Sequence, residues 1–135
     1  MKKMLLLAIL MLLAAAFCSY AKVLQEQNAK NGLGYLQVDA KAAKALMESK
    51  KGYVILDVRT ATEYNAGHIA NSILIPDYEI TKRAEKELKD KNQLILIYCR
   101  SGRRSKLAAA DLVKLGYTNV VEFGGIIDWQ YGVVK

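Results

Sequence analysis

Gln93-Leu94-Ile95-Leu96-Ile97-Tyr98-Cys99-Arg100-Ser101-Gly102-Arg103-Arg104-Ser105 is the stretch that decides how this 135-residue chain folds. Its first six residues are a dense apolar run of the kind that forms a strand buried on both faces. Beyond it, Leu107, Ala108, Leu112 and Leu115 recur at helical spacing, and Gly116 supplies the stop. The loop between strand and helix holds one thiol, three arginines and one glycine. Nearby cations and helix N–H groups stabilise a thiolate in such a setting. The thiolate is the nucleophilic form, so Cys99 is the candidate catalytic residue. Gly102 permits a tight backbone curve that a side chain would block.

Strand and helix patterns alternate on either side. Residues 35–38 read as a short strand, and Asp39 caps a helix over 40–49 with Ala43, Leu46 and Met47 on one face. Residues 53–58 form a second dense apolar run. A short helix over 60–64 ends towards Gly67, and a strand over 72–75 is stopped by Pro76. An amphipathic helix over 78–89 sets Ile80, Ala84 and Leu88 in line. The last strand covers 119–123, Gly124-Gly125 breaks the pattern, and a short terminal helix over 126–131 carries Trp129, which packs it down. Five strands joined by helical crossovers specify an α/β domain: a five-stranded parallel central sheet flanked by helices on both faces. Ligands of such sheets bind beyond the carboxyl ends of the strands, where Cys99 falls.

Residues 1–21 have the make-up of a secretory signal peptide. Lys2 and Lys3 precede an apolar stretch over 4–17, and Ser19-Tyr20-Ala21 places small residues where a signal peptidase needs them. The stretch is shorter than the roughly 20 residues of a membrane span, so no membrane span is expected after cleavage. A cut after Ala21 removes Cys18 and leaves Cys99 as the sole thiol, in an exported compartment (the bacterial periplasm) that favours disulfides. Phe17 argues against lipid attachment at Cys18, and retention as an uncleaved anchor is weaker still. Residues 22–34 carry little apolar periodicity and read as a flexible lead-in to one domain over 35–135.

Charge narrows the partners. The net charge is +7, but the lysines are scattered and aromatic residues do not interleave with them as a nucleic-acid stacking platform requires. No nucleic-acid partner is expected. Cations gather only at Arg100, Arg103 and Arg104, which points to a small anionic substrate. His68 is the only histidine and cannot make a multi-histidine metal site, so no metal or organic cofactor is expected. No repeat or heptad calls for an oligomer, and a monomer is the expectation.

Three motifs, in order, resemble those of rhodanese-like domains. They are Leu56-Asp57-Val58-Arg59 with Glu63-Tyr64-Asn65-Ala66-Gly67-His68-Ile69 and Ile75-Pro76; the Cys99–Ser105 loop; and Gly116-Tyr117-Thr118-Asn119-Val120 with Gly124-Gly125-Ile126 through Trp129. The resemblance implies the five-stranded parallel sheet and a persulfide-forming cysteine. It implies a thiosulfate sulfurtransferase of the small exported type, passing sulfane sulfur from an anionic donor to cyanide, a small thiol or a protein thiol. Arg100, Ser101, Gly102, Arg103 and Arg104 are then the substrate-binding candidates, with Arg103 contributing mainly through its field. Ser101 departs from the cation that several thiosulfate-using relatives carry there. Asp57 and Arg59 brace neighbouring loops, and His68 hydrogen-bonds a neighbour, with Asp57 the candidate. Relatives that dephosphorylate or reduce arsenate place arginine six residues after cysteine; here Ser105 stands there and Arg104 one earlier, which disfavours both activities. The alternative of another class is a persulfide carrier or redox interaction module without turnover on small molecules.

Overall fold

The computed structural model describes residues 1–15 and 31–135 in full. Cys18, the cut after Ala21 and residues 22–30 of the expected lead-in lie outside the described residues. Contacts divide the chain into two units, Met1–Leu33 and Gly34–Lys135. The first holds helix α1 (Lys2–Asn31), closed by Gly32 in the left-handed region at φ 68°. Leu5, Leu6, Leu10 and Leu12 on α1 are exposed. Among the described residues no helix is long and apolar enough to cross a membrane.

The second unit alternates strands with helices: β1 (Leu36–Gln37), α2 (Ala40–Ser49), β2 (Val54–Asp57), α3 (Ala61–Ala66), β3 (Ser72–Leu74), α4 (Ile80–Glu87), β4 (Ile95–Cys99), α5 (Arg103–Lys114) and β5 (Val120–Gly125). The strands form one five-stranded sheet in the order β1-β5-β4-β2-β3, and every pairing is parallel. The expected architecture is therefore the observed one.

Period-2 alternation in the strands separates two cores. Leu56, Ile95, Ile97, Cys99 and Val120 face α4 and α5, where they meet Ala84, Ala108, Ala109 and Leu112. Ile55, Leu96, Tyr98, Val121 and Phe123 face the other way, towards Ala43 and Leu46 of α2. An apolar run of consecutive residues in β4 is what burial on both faces requires. Caps fix two helix starts. Asp39 accepts from the Ala42 N–H at 2.8 Å, and Thr60 and Glu63 form a reciprocal capping box on α3.

Three boundaries differ from expectation. The helix over 78–89 divides into a 3-10 turn (Asp77–Glu79) and α4. Helix α5 starts at Arg103, within the stretch read as the loop between strand and helix, which brings its N-terminus closer to Cys99. The terminal helix over 126–131 is a single 3-10 turn (Ile126–Asp128), because the chain turns back. Trp129 packs on Phe123 at 5.7 Å between ring centroids and donates its indole N–H to the Gly132 carbonyl. Val134 then pairs antiparallel with His68. The carboxyl ends of β2, β4 and β5 deliver Asp57, Cys99 and Gly125 to the same edge of the sheet.

Candidate active site

Strand β4 ends on Cys99, and the chain turns through Gly102, at φ 103°, into α5. The pairing of β4 with β5 slips here: Ile97 faces Glu122, yet Cys99 faces Gly125. Strand β5 thus carries one extra residue, a bulge that bends it under the loop. A Cβ on Gly125 would lie 1.9 Å from the Arg100 carbonyl oxygen and 2.6 Å from the Ser101 Cα. The bare glycine is what lets the loop backbone descend onto the strand, and the Ile127 N–H holds the Arg100 carbonyl at 3.3 Å.

This descent aims the loop's amides at sulfur. The Gly102 N–H donates to Cys99 Sγ at 3.0 Å, and Ser105 Oγ stands 3.4 Å from it. Cys99 is only 1 % exposed. Burial pushes its pKa up. The Ser105 hydroxyl and the N–H groups of Ser105, Gly102 and Ser101 outweigh that and hold the thiol below its ordinary value. The geometry favours an anion at this one atom.

The arginines separate in role. Arg100 and Arg103 are exposed around the thiol. Arg104 is committed to Glu63, with Nη1–Oε1 at 2.8 Å and Nη2–Oε2 at 2.9 Å. This bidentate contact ties the first turn of α3 to the first turn of α5. The Arg104 guanidinium and the Thr60 N–H hold the Glu63 pKa down to about 2 despite partial burial. A cleft of about 470 Å³ opens alongside, lined by Arg59, Glu63, Ala66, Gly67, Arg100, Ile126, Ile127 and Val133.

Asp57 and Arg59 form a buried pair beneath the cleft. Arg59 Nη2 donates to Asp57 Oδ2 at 2.7 Å and to the Gly67 carbonyl at 2.7 Å. Tyr98 donates its hydroxyl to the same Asp57 oxygen at 2.5 Å and accepts the Ile69 N–H at 3.1 Å. Burial and the Asp57 carboxylate raise the Tyr98 pKa, so its proton stays in place. The network joins β2, β4 and the segment before β3. His68 is not part of it, correcting its expected bond to Asp57. Its ring stacks on Tyr64 at 3.7 Å, with Nδ1 2.8 Å from the Tyr64 carbonyl. The reason is that both Asp57 oxygens are already taken by Arg59 and Tyr98.

Three residues at the site were not singled out for it by sequence. Ser105 and Glu122 form a buried contact, with Ser105 Oγ 2.6 Å from Glu122 Oε1. Glu122 had one signal, a charge inside the apolar run Val120-Val121-Glu122-Phe123. Glu63 had another, its place three residues after Thr60. Among the described residues no cluster of three His, Cys, Asp or Glu side chains is placed to hold a metal ion.

A thiol cradled by backbone amides, between a parallel strand and the helix that follows it, defines a class of α/β domains built around one cysteine loop. A model of the rhodanese-like domain matches residues 39–131, and the chain belongs to that family. It is 37 % identical over 80 residues to the thiosulfate sulfurtransferase PspE of Escherichia coli, covering 59 % of this chain and 77 % of that one. It is 35 % identical over 105 residues to YrkF of Bacillus subtilis, which bears a sulfur-carrier name; the match covers 77 % of this chain and 56 % of YrkF, so the chain spans little more than half of that relative. Among solved structures, a rhodanese from E. coli determined with anions superposes with a TM-score of 0.59 at 34 % identity, over 62 % of this chain and 99 % of that one.

Proposed function

We propose that this chain is a sulfurtransferase that works through a persulfide on Cys99. The thiolate attacks the outer sulfur of a small anionic donor such as thiosulfate. A Cys99–sulfur bond forms, the donor's sulfur–sulfur bond breaks, and sulfite leaves with the electron pair. An acceptor nucleophile (cyanide, a small thiol or a protein thiol) then takes the outer sulfur and releases Cys99 as thiolate. The observation that carries this reading is the Gly102 N–H at 3.0 Å from Cys99 Sγ, in a loop pressed onto Gly125. Such a loop suits one sulfur atom rather than a phosphate. Exposed Arg100 and Arg103 offer the positive field for the donor's sulfonate end, and the E. coli structure with anions is consistent with it. Arg104, held by Glu63, keeps the loop's first helical turn in place. The domain acts as a monomer, and residues 1–21 direct it to export.

Incubation of the protein with thiosulfate followed by intact mass measurement tests the first half-reaction. The expected result is a gain of one sulfur that is absent in Cys99→Ser. No gain, with release of phosphate from an aryl phosphate instead, overturns the reading. The similarity to YrkF favours a second reading, a carrier that hands its persulfide to one protein partner. Steady turnover with thiosulfate and cyanide or a dithiol supports the enzyme, and a stoichiometric persulfide without turnover supports the carrier.

A further inference from the structure

The cleft beside Cys99 is larger than a small sulfur donor needs. Its volume of about 470 Å³ falls among pockets that take ligands of many atoms, about 300–1,000 Å³. Its walls also suit an inorganic anion poorly, since Ala66, Ile126, Ile127 and Val133 are all aliphatic. Most charge on the lining is already matched. Arg59 is paired with Asp57, and Glu63 with Arg104. Arg100 makes no ion pair among the described residues. The cleft therefore offers one unmatched cation beside an apolar wall.

That wall is held in place by the return of the chain. The Trp129 indole N–H donates to the Gly132 carbonyl at 3.0 Å, and Gly132 turns the backbone at φ 86°. Val134 then exchanges two backbone hydrogen bonds with His68, at 2.8 and 2.9 Å. Between these ties Val133 lies against Gly67, where an added Cβ would stand 3.4 Å from Val133 Cγ2. Yet Val133 is 53 % exposed and Ile127 64 % exposed, so the core gains little from either. Tyr131 and Val134 carry the exposed apolar surface beyond the cleft. Apolar side chains fixed in contact with water beside a reactive thiol mark a surface for a partner. A wall already in place adds no ordering cost when that partner binds.

We propose that Ile127 and Val133 are specificity-determining residues for the second half-reaction, and that the acceptor they select is a cysteine on an extended segment of an acidic partner protein. The inference rests on the sulfur-transfer reading and names the acceptor class that reading leaves open. Side chains two residues apart on an extended chain point the same way. A cysteine that reaches down to the persulfide therefore brings an aliphatic neighbour two residues away onto Ile127 and Val133. Sulfite has left by then, so Arg100 is free to meet a carboxylate of the segment. Arg103 and Lys106, both exposed at the start of α5, extend the positive field outward. The acceptor thiolate attacks the outer sulfur of the Cys99 persulfide. A sulfur–sulfur bond forms on the acceptor, the bond to Cys99 Sγ breaks, and Cys99 leaves with the electron pair as thiolate. The acceptor carries away the persulfide, and no further oxidant or reductant enters.

The probe is a seven-residue peptide with a central cysteine, leucine two residues to either side and acidic ends, compared with the same peptide carrying glycine for leucine. Its serine analogue, which has no thiol, is first tested for protection of Cys99 against iodoacetamide, a measurement that needs no sulfur donor. The leucine analogue is expected to slow alkylation of the parent and the glycine analogue to leave it unchanged. Protection should weaken about tenfold in Val133→Ser and in Ile127→Ser, two positions more than half exposed. In sulfur transfer from thiosulfate, the ratio of kcat/KM for the leucine peptide to that for cyanide should fall by a similar factor in each variant. Equal protection by the two analogues, or ratios unchanged in both variants, overturns the proposal. A small aliphatic thiol that accepts sulfur as fast as the leucine peptide overturns the assignment to a protein partner. Failure to gain sulfur from thiosulfate strikes the sulfur-transfer reading instead, and the protection measurement still decides whether the wall holds the peptide.

Discussion

Gly125 leaves the least latitude of any single position at the site. An added methyl would meet the Arg100 carbonyl oxygen at 1.9 Å and its carbon at 2.4 Å. Both are backbone atoms, so no side chain can swing away to make room. Gly125→Ala must lift the loop and pull the Gly102 N–H off Cys99 Sγ. A displacement on the order of 1 Å at a reacting group can cost about 10²-fold in rate. The expected outcome is a loss of that order in persulfide formation, together with slower alkylation of Cys99, while circular dichroism keeps the parent's helix and strand content. Parent-like kinetics would show that the cradle does not depend on this close approach. Asp57 is fixed in a different sense, by charge. Among the described residues its carboxylate is the only counter-ion of Arg59, which is 5 % exposed. Asp57→Asn leaves a buried guanidinium uncompensated, a change that costs about 3 kcal/mol or more. Urea denaturation should show an unfolding free energy lower by that amount, read as a lower midpoint with the slope retained.

Helix α3 is too short to hold itself, with six residues and none of them buried. Its order comes from the Thr60–Glu63 box at one end and the grip of Arg104 on Glu63. Its other end, Ala66, lines the cleft together with Gly67. Thr60→Ala should therefore cost about 1 kcal/mol of stability. It should also raise the KM for thiosulfate more than it lowers kcat, because fraying moves the cleft wall and not the thiol. A kcat loss at constant KM would place α3 in the chemistry instead. The strands were legible in the sequence because apolar alternation is a local signal, as Ile95 and Ile97 against Leu96 and Tyr98 demonstrate. Cys99 at a strand end and Gly102 in the turn were legible for the same reason. The partners were not. Arg104 and Glu63 meet across 41 residues, Tyr98 and Asp57 across 41, and Ser105 and Glu122 across 17. No spacing rule encodes a contact made by folding. The same limit hid the bulge in β5 and the return of Val134 to His68, which shortened the terminal helix to one turn.

Across the whole unit Gly34–Lys135, the paired carboxylates set how it answers to acid. Glu63 carries the lowered pKa of the Arg104 pair, about 2 against an ordinary 4.5. On the exposed surface of α4, Arg83 likewise lowers Glu87. A carboxyl whose folded-state pKa is depressed stabilises the fold when ionised. Its contribution is complete above the unfolded value and drains away as pH falls towards the folded one. For Glu63 the window runs from about 4.5 down to about 2. The side chains of Glu63 and Arg104 are 28 % and 25 % exposed, so solvent screens the pair. A contribution of about 1–2 kcal/mol at neutral pH is the appropriate size. Glu63→Gln should therefore be less stable than the parent by that amount at pH 7, with the gap closing as both are acidified through the window. Equilibrium unfolding in urea at a series of pH values measures it. A gap that persists unchanged at the acid end would mean that Glu63 acts through packing and the α3 cap alone, with no part played by its charge on Arg104.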